Sequence, residues 1–211
     1  MEPVTNEQKL EAIGHFPFEG KLMSAEAYGS GHINDTFLLV YQIGAMGQIR
    51  VILQRMNKDV FTDPVSLMEN ITGVTSYLRE RIEENGGDPD RETLNVIPAA
   101  DGKPYYKDSK GDYWRAYKFI TDATSYDQVE NPEDFYQSAV AFGNFQRLLA
   151  DYPAGTLHET IKGFHDTRAR FEVFKKAVEE DVMGRAASVQ KEIQFVLDHK
   201  DVADYLCELL E

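Results

Sequence analysis

The stretch EAYGSGHINDTFLLVYQ, Glu26 to Gln42, places two glycines, a serine and a histidine between two apolar segments. Such a stretch forms either a plain hairpin turn or a loop that binds an anion through Gly29, Ser30 and Gly31. Glycine suits the second role because it allows a positive φ and leaves room for a ligand close to the backbone N–H groups. A glycine turn taken alone is more often only a turn. The order of the elements that follow therefore decides between the two interpretations.

The sequence around this loop predicts three antiparallel strands and a long helix. Two strands flank the loop, and the third is QIRVILQRM, Gln48 to Met56, which follows a turn at Gly44 to Gly47. Asp63 is the expected N-cap of the helix, and Pro64 suits its first position, where a missing N–H costs nothing. Apolar residues then recur at helical spacing until Gly86-Gly87, which we expect to end the helix.

A further set of strands follows the long helix. Turn signals at Asp101-Gly102 and Lys110-Gly111 precede a strand around Tyr113 to Ile120, and a polar connector, TDATSYDQVENP, comes next. Asn131 and Pro132 then open the first of several helices. Most of the chain after this point has helical periodicity.

Strand, glycine loop, two strands, long helix, strands and polar connector is the element order of the small lobe of a protein-kinase-like fold. We therefore predict an α+β fold with three parts. A kinase-like N-terminal lobe covers residues 1–121, an inter-lobe connector covers 122–130, and the first helices of an incomplete α-helical lobe cover 131–211. In this context the glycine loop is expected to close over phosphate.

Composition and charge exclude several classes of protein. The formal net charge is −14, with 36 acidic against 22 basic residues, and no basic cluster is visible. This balance disfavours nucleic acid and anionic membranes as partners, so any phosphate must be bound locally by backbone N–H groups or divalent cations. A single cysteine excludes an intrachain disulfide and fits a reducing compartment. No signal peptide or membrane span is recognisable, so we expect a cytoplasmic protein.

Three further positions are candidates because of the kinase-like element order. Glu69, early in the long helix, is expected to orient a strand residue that touches the phosphates, although it also suits a solvated helix face. Gln54 occupies that strand position without bringing charge, whereas Arg55 would bring charge if it faced inward. Adenine is expected to bind through backbone groups around Lys118 to Ile120, in what is otherwise an aromatic-rich core strand.

The residues that perform phosphoryl transfer are not found in the chain. A kinase needs a catalytic Asp and downstream Asp or Asn ligands for Mg²⁺. The one His-x-Asp, His199-Lys200-Asp201, falls between two helical patterns, and the Asn expected five residues later would be Leu206. We interpret this triplet as a helix boundary and assign no catalytic residue and no metal ligand within the chain.

Taken together, several stretches resemble the N-acetylhexosamine 1-kinases, which belong to the aminoglycoside phosphotransferase and choline kinase-like group. The resembling stretches run in the family's order: YGSGHIND, ILQRMN, LMENI, VTSYL, WRAYKFI, AFGNFQ, FHDTRARFEVF and GRAASVQKEIQF. The resemblance implies transfer of a phosphoryl group from ATP to the anomeric hydroxyl of GlcNAc or GalNAc, with Mg²⁺. It also implies that the strand position lacks lysine in the family, as here, and that His32 lies near the phosphates or the sugar.

The predicted nucleotide-binding residues combine these observations. They are Gly29, Ser30, Gly31, His32, Asn34, Gln54, Glu69, Lys118, Phe119 and Ile120. The family's catalytic segment, metal-binding Asp and most sugar contacts have no counterpart here. We therefore expect the N-terminal portion of a kinase that is inactive alone, with Mg²⁺ ligands beyond residue 211. Apolar helix faces without a partner would favour self-association of this portion.

Two alternatives stay open at this point. The enzyme could be another small-molecule kinase of the same fold, acting on choline, homoserine or an aminoglycoside. The chain could instead be a non-catalytic, pseudokinase-like module that binds a nucleotide and ends naturally at Glu211. The encoded sequence after position 211 distinguishes a module from a portion of a longer kinase.

Overall fold

The computed structural model describes residues 2–124, 126, 128–129 and 131–210, so three positions of the predicted connector lie outside the described residues. Its contacts divide the chain into two compact units, one ending at Thr160 and the other beginning at Ile161. This division falls after the predicted lobe boundary at residue 121, because residues 131–160 group with the strands. The predicted three-part organisation stays a prediction. No described helix combines the length and the apolar character that spanning a bilayer requires.

The first unit contains all of the strands and four helices that the structure describes. Its strands are β1 Lys21–Ala27, β2 Asp35–Ile43, β3 Gly47–Arg55, β4 Val96–Ile97, β5 Tyr106–Lys107 and β6 Tyr113–Lys118. Its helices are α1 Asn6–Gly14, α2 Pro64–Glu84, α3 Pro89–Glu92 and α4 Pro132–Leu148, followed by a short 3₁₀ helix at Ala154–Thr156. The second unit contains α5 Thr167–Glu180, a 3₁₀ helix at Ala186–Val189, α6 Gln190–Asp198 and α7 Lys200–Leu210.

The strands form one antiparallel sheet in the order β1-β2-β3-β6-β4, and β5 also pairs with β6. The predicted turn between β2 and β3 is present, with Ile43 paired to Gly47. Opposite residues at the centre of the sheet include the pairs Thr36 with Gln54 and Gln54 with Arg115. Because directly paired residues of neighbouring strands point to the same side, these three residues lie on one face of the sheet.

The other face of the sheet packs against α1. The buried cluster joins Ala12 and Phe16, from α1 and the residues after it, to sheet residues such as Leu39, Leu53 and Trp114. Burial of these side chains from water is the main contribution to the stability of this unit. Helix α1 is not among the predicted elements. Its signal in the sequence is a capping box, in which the Thr5 hydroxyl accepts from the backbone N–H of Gln8.

The predicted starts of α2 and α4 agree with the structure, and α5 begins with a cap of the same kind. The side chains of three residues accept hydrogen bonds from backbone N–H groups in the first turns of α2, α4 and α5, and these caps are Asp63, Asn131 and Asp166. Helix α6 ends at Asp198 and α7 begins at Lys200, so the triplet His199-Lys200-Asp201 is a helix boundary, as predicted. Side-chain caps of this kind contribute about 1 kcal/mol each.

Arg55 faces the α1 side of the sheet, away from Gln54, and takes part in a buried ionic network. Its guanidinium lies 2.6 Å from the Asp35 carboxylate and 3.1 Å from the Asp112 carboxylate. The Lys58 ammonium lies 2.7 Å from the other oxygen of Asp112. Arg55 is only 3% exposed, so its charge is neutralised within the fold. The condition under which it would bring charge to a phosphate, an inward-facing side chain, is therefore not met.

Candidate functional site

An open cleft of about 390 Å³ lies on the face of the sheet opposite to α1. Residues from the glycine loop, β2, β3, the end of β6 and the following segment line it. These lining residues are Tyr28, Gly29, Gly31, Thr36, Ile52, Gln54, Leu94, Tyr117, Lys118, Phe119, Ile120 and Ala123. The cleft thus brings together six of the predicted nucleotide-binding residues: Gly29, Gly31, Gln54, Lys118, Phe119 and Ile120.

The glycine loop lines one side of the cleft and has open space around it. The Tyr28 N–H donates to the Thr36 carbonyl at 2.9 Å, where the loop leaves the sheet. Gly29 has a φ of +84°, a conformation that L side chains rarely adopt, and an added Cβ at Gly29 or Gly31 would meet no atom within 4 Å. The loop therefore leaves room for a ligand against its backbone.

The other predicted residues of the loop do not line the cleft. His32 is exposed, and Ser30 is also exposed and lies between the two glycines. The Asn34 side chain accepts a hydrogen bond from the Asn57 N–H at 2.9 Å. Asn34 therefore fastens the end of the loop to the segment after β3, and this contact accounts for its presence without a ligand.

A row of polar side chains crosses the sheet from β2 through β3 to β6 on the cleft side. The Gln54 amide nitrogen donates to the Thr36 hydroxyl at 2.8 Å. The Gln54 amide oxygen accepts two hydrogen bonds from Arg115, from Nε at 2.9 Å and from Nη2 at 2.6 Å. Gln54 is thus held from both sides, and the structure gives its amide a single orientation.

Within the described part of the chain, Arg115 has no carboxylate partner. No ion pair of its guanidinium is found among residues 2–124, 126, 128–129 and 131–210, and its hydrogen bonds there go to the neutral Gln54. Burial lowers the pKa of the Arg115 guanidinium, since burial disfavours the charged form. The same burial raises the pKa of the neighbouring Tyr117 hydroxyl. On this side of the cleft, the lining side chains of Gln54 and Tyr117 are uncharged. The half-buried guanidinium of Arg115 lies behind Gln54.

At the end of β6, two backbone N–H groups already donate to carbonyls of neighbouring segments. The Lys118 N–H donates to the Asn95 carbonyl at 2.9 Å, and the Phe119 N–H donates to the Arg50 carbonyl at 3.2 Å. Within the part of the chain that the structure describes, the Ile120 N–H has no such backbone acceptor. Of the N–H groups in the predicted adenine-binding segment, that of Ile120 is therefore the one available to a ligand among the described residues.

Aromatic contacts connect Tyr28, at the start of the glycine loop, to Phe119, just after β6. The Tyr28 ring meets the Phe119 ring edge-on, with 5.6 Å between centroids. The Arg50 guanidinium lies over Phe119, at 5.8 Å from its centroid. These contacts fix the distance between the start of the glycine loop and the end of β6, and hence the width of the cleft at that side.

Glu69 lies outside the cleft and contacts a different residue from the one expected. Its carboxylate is 2.7 Å from Nε2 of His158, and both side chains are about half exposed. The neighbouring Asn70 exchanges two hydrogen bonds with the His158 backbone, which places the imidazole beside Glu69. The expected contact from Glu69 to the strand residue is absent among the described residues: Glu69 pairs with His158, and Gln54 bonds to Thr36 and Arg115.

The site also contains residues outside the predicted set. Thr36, Arg115 and Tyr28 were not singled out, although alternation in β6 places Arg115 and Tyr117 on one face. The pairing of Thr36 and Arg115 with β3 depends on strand order, which no local pattern reveals.

No group of three or more His, Cys, Asp or Glu side chains that could hold a metal ion is found within the described ranges.

Comparison with known proteins identifies the fold. No protein-family model matches the chain. Among solved structures, the chain is similar to the spectinomycin phosphotransferase APH(9)-Ia, solved in complex with ADP and spectinomycin, with a TM-score of 0.56 and 13% sequence identity. The match covers 100% of this chain and 60% of that protein, so this chain spans less than two thirds of its length. The similarity confirms the predicted α+β, kinase-like fold, in which an antiparallel sheet and a long helix precede further helices.

Proposed function

We propose that this chain is the nucleotide-binding part of an ATP-dependent small-molecule phosphotransferase. The observation that carries the proposal is the convergence in one cleft of the Gly29 to Gly31 loop, the Gln54 amide and the Ile120 N–H. Such a convergence suits a ligand with phosphates at one end and a flat heterocycle at the other. The solved protein of similar fold is a phosphotransferase with bound ADP, which supports the same use of the cleft here.

Each group in the cleft has a separate role in this proposal. The loop backbone and the Gln54 amide nitrogen bind phosphate oxygens, because both present N–H donors. The Ile120 N–H binds the edge of the adenine ring, and Phe119 and Tyr117 shield it from water. A divalent cation would offset charge on the phosphates when bound, with ligands outside the residues described here.

The acceptor we propose is the anomeric hydroxyl of an N-acetylhexosamine, GlcNAc or GalNAc. The support for it is the sequence resemblance to the N-acetylhexosamine 1-kinases, whose catalytic segment has no counterpart in residues 1–211. The chain alone is therefore proposed to bind nucleotide without turnover, in a cytoplasmic protein. A coupled ADP-release assay with GlcNAc and ATP should show no substrate-dependent rate for the chain, and a clear rate would refute this.

A version of the protein extended past Glu211 tests the acceptor. It should phosphorylate GlcNAc or GalNAc in preference to choline, homoserine or an aminoglycoside when all are assayed at equal concentration. Preference for one of the other acceptors would refute the proposed substrate and leave the phosphotransferase proposal intact.

Nucleotide binding is tested directly by isothermal titration of ADP into the chain. We expect a dissociation constant below about 1 mM. Ala123→Phe should weaken ADP binding about tenfold or more, because Ala123 lines the cleft and its added ring would fill it. The control is Ala150→Phe, an exposed alanine after α4 and outside the cleft, which should bind ADP like the wild type. Absence of ADP binding by the wild type, or equal loss in both variants, would refute the proposal.

A further inference from the structure

We infer that Arg115 is a positioning residue that turns the donor side of Gln54 into the cleft, so that the pair recognises phosphate oxygens in place of a lysine. This inference rests on the proposed function and adds a residue to it. Gln54 lines the cleft, whereas Arg115 lies behind it and is not among the lining residues. Arg115 thus acts through Gln54 rather than by touching the ligand.

The orientation of the Gln54 amide follows from chemistry. A guanidinium can only donate hydrogen bonds, so the atom that faces Arg115 must be the amide oxygen. Both donors, Nε and Nη2, reach that oxygen at 2.9 and 2.6 Å. The amide nitrogen is thereby turned away from Arg115, and one of its two protons goes to the Thr36 hydroxyl. The second proton has no acceptor among the described residues, and because Gln54 lines the cleft it is available to a ligand there.

The charge of the pair favours the same kind of ligand. Arg115 is held by the neutral Gln54, and no carboxylate pairs with it among the residues that the structure describes. Arg55, the next residue on β3, has its charge neutralised by Asp35 and Asp112 on the opposite face. Arg115, unlike Arg55, therefore holds its charge on the cleft side of the sheet, and hydrogen bonds polarised by it strengthen the Gln54 donor toward an anion.

Comparison of ADP with adenosine separates positioning from folding, because adenosine lacks the phosphates. Arg115→Met removes the charge and frees the Gln54 amide to rotate. Gln54→Glu keeps the contact with Arg115 as an ion pair but presents only acceptors to the cleft. Both variants should lose about ten- to hundredfold in ADP affinity and less than about twofold in adenosine affinity. Arg115→Lys, which keeps a charged donor, should recover part of the loss.

Lys107→Met is the control, because it removes one exposed positive charge from β5 of the same sheet. Its affinities for ADP and adenosine should equal those of the wild type. Equal loss of ADP and adenosine binding in Arg115→Met, or unchanged ADP binding in Gln54→Glu, would overturn the inference while the proposed function stands. A wild type that binds neither ligand would overturn the proposed function, and the inference with it. Gln54→Glu keeps the test decisive if Arg115→Met fails to fold.

Discussion

At the scale of single residues, the adjacent Gln54 and Arg55 show what alternation can and cannot predict. Alternation along β3 places them on opposite faces, and this could be inferred from the sequence. Which face carries the cleft could not be inferred, because it depends on where α1 packs and on the partners of Arg55. These partners are Asp35, 20 residues before it, and Asp112, 57 residues after it. The charged residue is buried in an ionic network, and the neutral one lines the cleft.

The buried network predicts a pH-dependent stability that centres on Asp112. Burial alone would raise the pKa of the Asp112 carboxyl, but the Lys58 ammonium and the Arg55 guanidinium together lower it. A carboxyl with a lowered pKa stabilises the fold fully above its unfolded pKa of about 3.9, and this contribution disappears as the pH falls through the folded value. Urea unfolding should therefore show that Asp112→Asn costs about 3 kcal/mol at pH 6 and much less at pH 3.

Asp101 provides the matched control for Asp112. It also pairs with a lysine, at 2.8 Å from Lys103, but both side chains are more than half exposed. Asp101→Asn should cost much less stability at pH 6 than Asp112→Asn, since water and salt screen exposed pairs. Equal costs for the two substitutions, or a cost for Asp112→Asn that does not fall toward pH 3, would contradict the assignment of a buried network.

The two glycines of the loop predict different costs of substitution. Both leave open space for a Cβ, and only Gly29 has a positive φ. Gly29→Ala should lower the free energy of unfolding by about 1 kcal/mol through backbone strain, whereas Gly31→Ala should change it by less than about 0.5 kcal/mol. Chemical denaturation of both variants measures the difference. Equal effects would mean that the loop does not need the left-handed conformation at Gly29.

At the scale of elements, strong local signals were predictable and short elements were not. The caps, Pro64 and the periodicity of α2 identify this helix from the sequence alone. Strands β4 and β5 have two residues each, so they carry no alternation that a pattern could detect. The contact of Glu69 with His158 joins residues 89 positions apart, and no local pattern indicates it.

The N-cap of α2 provides a test at this scale. The Asp63 carboxylate accepts hydrogen bonds from the N–H and the hydroxyl of Ser66, at 3.1 and 2.7 Å, and these bonds lower the pKa of Asp63. Asp63→Ala should lower the free energy of unfolding at pH 7 clearly more than Asp63→Asn, because asparagine also caps and alanine does not. Urea denaturation gives both values. Similar losses in the two variants would exclude a capping role.

At the scale of the whole molecule, the cleft was predictable as a set of segments but not as a geometry. Its lining comes from residues 28 to 123, and their approach depends on the order β1-β2-β3-β6-β4. The sequence indicated the loop by its glycines, and the strand position and the end of β6 by their place in the kinase-like element order. Arg115 and Thr36 enter only through cross-strand pairing with Gln54, which long-range contacts determine.

The exposed apolar surface of α4 predicts self-association of the chain. Large side chains on this helix are uncovered, including Phe135 at 67% and Phe142 at 69% exposure, and such surface favours contact with a second copy. Sedimentation velocity should show a weight-average mass that rises with protein concentration. Phe142→Gln should weaken the association about tenfold, because it removes a large apolar side chain that a second copy would cover. Met46→Gln, at a lone methionine 94% exposed in the β2–β3 turn, should leave it unchanged. A constant monomer mass at high concentration would show that this surface does not bind a second copy.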